Sequence, residues 1–229
     1  MPVLLSAQPV TNWVIRGSLS FLVPFIAKEM AFSEAERAML LGAFYPGYVA
    51  SHIPGGWAVQ RFGGKAVLSV NMAGTALLCV LMPLGMRVRA SARAATLSAL
   101  LLCMGLCQGP LIPALQHMRR DWLPQGPGRA LAMRLSDLGG ALTGVVTPLL
   151  PPFVALRWGW QAFAVAYGVY TALFLAIWRR WAKDRPAQME TEQKAVATVD
   201  WSIFRESRVL AMICAQFGSG FTVYTMQLW

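Results

Sequence analysis

The amino-acid sequence predicts an all-α membrane protein with six membrane-spanning helices and the start of a seventh. The first observation is the composition: of 229 residues, 56% are hydrophobic and only 13% are charged, whereas a soluble domain has about 25% charged residues. The second is the spacing of the charges. They leave uncharged intervals long enough for a helix that crosses the hydrocarbon core, which takes about 20 residues.

Each predicted span follows from such an interval. The first runs from the N-terminus to Lys28 and contains one charge, Arg16. The next five are bounded by charged residues at positions 37 and 61, 65 and 87, 93 and 119, 137 and 157, and 157 and 179. A last uncharged interval runs from 208 to 229. We therefore predict a six-helix bundle over residues 1–182, a polar linker over 183–207 and a truncated seventh helix over 208–229.

The distribution of cations predicts the orientation of the chain. Six spans place the N-terminus and the linker on the same side, and the loops on that side contain twelve of the 20 lysines and arginines. The loops on the other side contain six, and the remaining two, Arg16 and Arg134, lie inside spans. The positive-inside rule then predicts a cytosolic N-terminus. Topology also accounts for the net charge of +10, so we expect the lipid bilayer as a partner and no nucleic acid.

No motif in the sequence indicates an enzyme or a resident cofactor. HExxH, P-loop and GxSxG patterns are absent, and Cys and His residues do not cluster at metal-ligand spacing. The four cysteines lie in apolar spans, where free thiols that pack as small apolar groups are expected. The N-terminus lacks the basic region of a signal peptide, so the first predicted span should stay in the mature protein.

The stretch HIPGGWAVQRFGGKAVL, residues 52–68, places two cations and four glycines between apolar runs. The glycines at 55, 56, 63 and 64 allow a tight turn and close approach of neighbouring helices. Arg61 and Lys65 can anchor the turn at the cytosolic interface and meet the C-terminal carbonyls of helices. Interfacial anchoring alone is an alternative reading of both cations.

This stretch resembles the loop between the second and third helices of major facilitator transporters, G-x-x-x-D-R-x-G-R-[KR]. With IPGG before it, it is similar to the anion–cation symporter family, which includes sialin, the vesicular glutamate transporters and sodium-phosphate cotransporters. The resemblance implies a gating role for the residues at the matching positions, which are Gly56, Arg61, Gly63, Gly64 and Lys65.

Further segments resemble the same family in colinear order. IRGSLSFLVPFIAKE is similar to D-R-x-N-x-S-V-A-I-x-P-M, and AFYPGYVASHIPGG to S-F-F-W-G-Y-x-x-T-Q-I-P-G-G. GLCQGPLIPAL is similar to G-x-x-E-G-x-x-x-P-A-M, and Asp184 and Pro186 match a D-x-P after the sixth span. The resemblance implies the N-terminal six-helix bundle of a major facilitator protein that transports small organic or phosphate anions by alternating access.

Three acids of the family pattern are absent. Ile15, Gln60 and Gln108 stand at the positions of an aspartate, an aspartate and a glutamate. Asp137 is the remaining acid inside the predicted spans, so it is the candidate for coupling to H⁺ or Na⁺. The two histidines, His52 and His117, could titrate near neutral pH, but each is expected near the end of a span as a hydrogen-bonding residue.

Charged residues inside spans are the candidates for the substrate site, because each costs about 2.5 to 3.5 kcal/mol at a helix centre on insertion scales. The resemblance places Arg16 in the central cavity, where Arg16, helped by Arg134, would accept a carboxylate or phosphate. Tyr48 and Tyr224 are further candidate cavity residues. In the alternative reading Arg134 and Asp137, three residues apart, neutralise each other as a latch, and Arg16 extends toward the interface.

Because the predicted seventh helix stops after 22 residues, we expect a C-terminal half in the same polypeptide beyond this chain. The alternative is a truncated membrane protein that does not transport, and either is inactive or pairs with a partner half. A homodimer of halves fits less well, since it would end after six helices.

Overall fold

The computed structural model describes residues 2–123, 126–184 and 205–228, and these are almost entirely helical, with no strand among them. The chain divides into two units, residues 1–192 and 193–229. The first unit contains eight described α-helices: α1 (Pro2–Ala7), α2 (Val10–Met30), α3 (Glu34–Phe62), α4 (Gly64–Leu81), α5 (Arg93–Gln108), α6 (Leu111–Trp122), α7 (Arg129–Trp158) and α8 (Trp160–Trp181). The second contains α9 (Ser207–Leu228).

Five helical segments of the described part are long and apolar enough to cross a membrane: Leu4–Met30, Gly64–Arg87, Ala90–Trp122, Arg129–Trp158 and Trp160–Trp181. The 29-residue helix α3 lies between the first two of them but is less apolar. Its central stretch AFYPGYVASHIPGG includes tyrosines, a histidine, prolines and glycines, which lower its hydropathy. The predicted all-α membrane fold is confirmed.

Two of the long segments are broken by proline. The first is interrupted between α1 and α2 at Gln8 and Pro9, and the third between α5 and α6 at Gly109 and Pro110. Proline has no backbone N–H and therefore removes one hydrogen bond of the helical ladder. The long helices α2, α3 and α7 also contain prolines without ending at them.

Two of the helix connections consist of a single glycine. Gly63 joins α3 to α4 with φ 85° and ψ 160°, and Gly159 joins α7 to α8 with φ 84° and ψ 157°. This region of backbone conformation is occupied almost only by glycine. The sequence-based expectation of a turn that includes residues 55 and 56 is therefore wrong: Gly55 and Gly56 lie inside α3, which continues to Phe62.

Small residues bring α3 and α5 into backbone contact. A Cβ at Gly47 would collide with the backbone of Leu102 and Leu106, and a Cβ at Gly105 with that of Phe44 and Tyr48. Small residues at helix interfaces permit this approach in membranes, where packing rather than hydrophobicity drives association. Because one face of α3 packs against α5, the rotation of α3 about its axis is set, and with it the face that it turns toward α2.

Apolar side chains are exposed along the outside of the bundle. On α7 alone they include Leu131, Leu135, Leu138, Leu142 and Leu149, each more than half exposed. A water-soluble protein rarely leaves so much contiguous apolar surface uncovered. The bilayer is the medium that covers such a surface.

Candidate functional site

Arg16 lies in the middle of the first long segment. It follows Leu4 by 12 residues and precedes Met30 by 14, which places it about 18 Å and about 21 Å from the two ends at 1.5 Å per residue. Its neighbour Ile15, at the position of the family's aspartate, is 1% exposed and packs in the apolar core. Replacement of the acid by isoleucine therefore serves the packing of α2.

Three aromatic rings of α3 surround the Arg16 guanidinium. Its Cζ atom is 4.5 Å from the ring centroid of Tyr48, 5.6 Å from that of Phe44 and 5.8 Å from that of Tyr45. Phe44 and Tyr48 themselves stack at 5.8 Å. Cations are attracted to the faces of such rings within about 6 Å. The arrangement holds a guanidinium against an aromatic surface at mid-depth in the bundle.

His52 extends this aromatic surface by one helical turn. Its ring centroid is 5.3 Å from that of Tyr48. The residue precedes Phe62, the end of α3, by 10 residues, or about 15 Å. The expectation that His52 lies near the end of a span is therefore wrong, because the helix does not turn at Gly55 and Gly56.

The glutamate position of the family pattern is occupied by a buried neutral residue. Gln108 is 1% exposed, and its Nε2 atom donates to Thr75 Oγ1 at 3.4 Å. One turn away, Asn71 Nδ2 donates to the Cys107 carbonyl at 2.9 Å. These contacts link α4 to α5 by neutral hydrogen bonds, so this position has no carboxyl group to exchange a proton.

The structure corrects the expected partner of Asp137. Its Oδ1 atom forms an ion pair with Arg119 Nη2 at 2.7 Å, and no ion pair joins Arg134 and Asp137 among the described residues. The Arg119 side chain is 4% exposed and also donates to the Ser136 carbonyl at 3.1 Å. Arg119 is predicted from the sequence to be a loop cation, because each charged residue is taken as the end of a membrane span.

Arg134 is the sixth residue of α7 and is exposed. The rings that contact Arg16 belong instead to the middle of α3. The assignment of Arg134 as a helper in substrate binding therefore stays a prediction.

Hydrogen bonds link the α3–α4 connection, the end of α6 and the end of α8. Asp184 Oδ1 accepts the backbone N–H of Lys65 at 2.9 Å, and thereby caps the first turn of α4. Lys65 Nζ donates to the Arg179 carbonyl near the end of α8 at 3.2 Å. Trp122 Nε1 donates to the carbonyls of Lys183 and Asp184 at 3.1 and 3.2 Å. We call this set of residues the connector cluster.

The predicted gating residues have different surroundings. A Cβ at Gly64 would meet the Met118 side chain, and one at Gly63 would overlap the Asp184 carboxylate. Gly56 has open space at that position, and Arg61 is exposed with its Cζ atom 5.5 Å from the Phe62 ring. The expected contact of a cation with a helix C-terminal carbonyl is confirmed for Lys65.

Two predicted regions cannot be assigned a place. The side chain of Tyr224, in α9, and residues 185–204 of the predicted linker lie outside the described residues. Over the part that the structure describes, no group of three or more His, Cys, Asp or Glu side chains could hold a metal ion.

The sequence predicts Arg16 and Tyr48 as candidate site residues, and the structure brings the two side chains together. The sequence does not reveal Asp184 and Arg119 as structural partners. The D-x-P match gave a signal for Asp184, although not for its contact with a helix 119 residues away. For Arg119 no such signal exists, because apolar residues precede a charge both at the buried end of a helix and at the start of a loop.

Together, the five long apolar helical segments of the described part, the apolar exterior and the cation at mid-depth indicate a multi-pass membrane protein of the transporter class. The family described as Major Facilitator Superfamily matches residues 9–229. The chain belongs to this superfamily and is similar to the N-terminal half of its anion–cation symporters. Its relatives are transporters and not enzymes.

Named relatives agree with this assignment. The chain is 26% identical over 217 residues to "Probable anion transporter 6" of Oryza sativa subsp. japonica, covering 95% of this chain and 49% of that protein. It is 24% identical over 187 residues to the "Hexuronate transporter" of Bacillus subtilis (strain 168), covering 82% and 43%. It is 23% identical over 215 residues to human "Sialin", covering 87% and 42%. The chain thus spans about half, or less, of the length of these relatives.

Solved structures show the same fold at low identity. A peptide transporter POT in complex with sulfate superposes with a TM-score of 0.61 at 17% identity, covering 98% of this chain and 44% of that one. A POT family transporter in complex with a thioalcohol-conjugated peptide superposes with a TM-score of 0.63 at 12% identity, covering 99% and 47%. Identities this low support the fold alone.

Proposed function

We propose that this chain is the N-terminal half of a secondary transporter that carries small anions by alternating access, and that Arg16 binds the anion. The observation that carries the proposal is the Arg16 guanidinium, which lies at mid-depth against the rings of Phe44, Tyr45 and Tyr48. An ionised side chain is rare at this depth unless it serves transport or a partner. Relatives named as transporters of anions, hexuronate and ascorbate support the substrate class.

The chemistry of the site suits an anion that presents two oxygens side by side. A guanidinium presents parallel N–H groups at its edge, which match the two oxygens of a carboxylate or phosphate. Rings that pack on the face of the guanidinium fix its plane and reduce the entropy lost when the anion binds. Tyr48 adds a phenolic hydroxyl to the same side of α3.

Alternating access needs a second half, and the site should lie between the two halves near the middle of the bilayer. We expect the C-terminal half in the same polypeptide and Tyr224 on the seventh helix as a contributor. The N-terminus faces the cytosol in this proposal. Opening toward that side would separate parts of the connector cluster, so Lys65 would tune the opening. Arg61, four residues before Lys65 at the end of α3, is the second candidate for this role.

Coupling to H⁺ or Na⁺ accompanies transport in this proposal. Asp137 is the candidate from the sequence, and its ion pair with Arg119 gives protonation a physical effect. A proton on the carboxylate would release the buried Arg119 guanidinium from its charged partner. The contact between α6 and α7 would then weaken.

Binding of radiolabelled glucuronate, sialate, ascorbate and phosphate to the purified chain in lipid nanodiscs tests the proposed site. We expect at least one of these anions to bind the wild-type chain, Arg16→Ala to abolish binding, and Arg16→Lys to retain part of it as a point charge. Arg157→Ala, which removes an exposed cation at the end of α7, is the matched control and should bind normally.

Uptake into proteoliposomes, measured for the longest reading frame that contains this chain, separates transport from binding. Uptake that depends on Arg16 supports the proposal. Binding without uptake supports the alternative, a truncated protein that does not transport. Equal binding by the wild-type, Arg16→Ala and Arg157→Ala chains would refute the assignment of Arg16.

A further inference from the structure

We propose that His52 is a proton-binding site that senses the charge at Arg16 through their shared neighbour Tyr48, so that it takes up a proton when an anion occupies Arg16. The inference rests on the proposed function for the anion at Arg16. It adds a proton site on α3 to the coupling candidate Asp137 on α7.

The geometry places the two groups on one aromatic surface. Arg16 Cζ is 4.5 Å and the His52 ring centroid is 5.3 Å from the centroid of the Tyr48 ring. The separation between Arg16 Cζ and the His52 centroid therefore cannot exceed 9.8 Å, the sum of these distances. Two positive charges at this separation repel each other, more strongly inside a protein than in water. A change of charge at Arg16 therefore changes the free energy of protonating His52.

The imidazole has a nitrogen that can take part in this exchange. His52 Nδ1 is buried and has no hydrogen-bond partner among the described residues. Gly109, at the break between α5 and α6, packs against the backbone of Tyr48 and His52. An imidazole nitrogen without a hydrogen-bond partner is available to take up one proton.

Other groups on the neighbouring helices do not provide the same function. The titratable side chains of the helices packed against α3 are Arg16, Lys28 and Glu29 on α2, Lys65 and Cys79 on α4, Arg93, Cys103 and Cys107 on α5, and His117, Arg119, Arg120 and Asp121 on α6. The charged members other than Arg16 lie toward helix ends, and the thiols are neutral near pH 7. Carboxylates are absent from the described middle portions of these four helices.

Charge balance gives the direction of the coupling. Without an anion, the positive charge of Arg16 opposes a second positive charge on His52. A bound anion cancels this repulsion, and the imidazole gains one proton from water. By linkage, protonated His52 must raise the affinity for the anion by the same factor. At a distance of about 10 Å and an effective dielectric constant of about 20, the factor is roughly tenfold.

The substitution His52→Gln provides a variant that is expected to fold. The family pattern quoted above has glutamine at this position, and glutamine keeps hydrogen-bonding capacity while it cannot titrate. We expect the affinity of the wild-type chain for its anion to rise about tenfold as the pH falls through the range in which His52 takes up its proton. The H52Q chain should bind with one affinity across that range.

The titration of His52 itself gives a readout that does not require a transported anion. The sequence contains two histidines, so the background H117Q with ¹³C-labelled histidine shows His52 alone by NMR. The second substitution Arg16→Gln removes the positive charge and should raise the His52 titration midpoint by about one pH unit. Addition of the anion to the H117Q chain should shift the midpoint in the same direction.

The outcomes separate this inference from the proposed function. If Arg16→Gln shifts the His52 midpoint but no anion binds at any pH, the proton site stands and the anion site fails. If an anion binds through Arg16 with the same pH dependence in wild type and H52Q, the proton site is refuted while the anion site stands. An unchanged His52 midpoint in the R16Q chain would also refute it.

Discussion

The substitution Gly63→Ala should destabilise the bundle more than the same change at any other helix connection of the described part. Gly63 has φ 85° and ψ 160°, a backbone conformation that costs a residue with a side chain about 1 to 3 kcal/mol. In addition, the new methyl group would occupy the position of the Asp184 carboxylate. Displacement of that carboxylate removes its hydrogen bond to Lys65, for a further 0.5 to 1.5 kcal/mol, roughly.

Two matched substitutions separate these contributions. Gly159→Ala places alanine in nearly the same conformation, φ 84°, but its methyl group meets only the flexible end of Gln161. It should therefore show the backbone cost of about 1 to 3 kcal/mol alone. Gly56→Ala lies within α3 with open space around the methyl group, and should be neutral or stabilise by up to about 1 kcal/mol.

Unfolding of the purified chain in mixed detergent micelles, followed by circular dichroism as SDS is added, measures the three free energies. The expected order of stability is G56A, then G159A, then G63A, with G63A below G159A by the contribution of the Asp184 hydrogen bond. Equal stability of G63A and G56A would refute two claims: that the backbone conformation at Gly63 requires glycine, and that the hydrogen bond of Asp184 to Lys65 stabilises the bundle.

Other substitutions test further contacts of the bundle. Asp184→Ala removes the cap of α4 and should cost about 0.5 to 2 kcal/mol in the same SDS titration, whereas Asp184→Asn, which can still accept the hydrogen bond, should cost less. Asp137→Ala leaves Arg119 buried without its carboxylate and should destabilise the bundle, by less than the ~3 to 5 kcal/mol expected for a fully buried pair. The reverse change, Arg119→Met, should cost clearly less because Asp137 is 56% exposed and can be solvated; equal losses would contradict the asymmetry. Gly47→Leu should prevent the backbone contact of α3 with α5, with loss of the folded monomer in size-exclusion chromatography.

The sequence was sufficient for the membrane spans because their signal is local. Charge-free intervals and the cost of charge in hydrocarbon are properties of each segment by itself. The same rule failed at Arg119, where a charge was taken as the end of a span although α6 buries it against Asp137. A tertiary partner 18 residues away decides this case, and hydropathy contains no information about it.

The depth of a residue in its helix could be predicted only as accurately as the residues at which the helix ends. Four glycines suggested a loop from residue 55 to 64, so His52 was placed at the end of a span. The structure makes the turn with Gly63 alone and uses Gly55 for packing against Pro110. The four glycines are alike in sequence, and only the neighbouring helices distinguish a turn from a contact. As a consequence, the stacking of His52 on Tyr48 could not be foreseen.

Arg16 could be predicted as a candidate site residue because a lone cation in an apolar span costs free energy whichever way its side chain is oriented. Its three aromatic neighbours were not predictable, since they require the register between α2 and α3. The pattern residue Tyr48 was selected for its depth in the span, and the structure places its ring 4.5 Å from the guanidinium carbon.

The central claim is that a small anion binds at Arg16. Cryo-electron microscopy of the chain in nanodiscs, with an antibody fragment as a size marker and the tightest-binding anion of the panel, locates that anion directly. The account predicts ligand density within hydrogen-bond distance of the Arg16 guanidinium and beside Tyr48, and its disappearance in the R16A chain. Density for the anion elsewhere, with the Arg16 site unchanged, would contradict it.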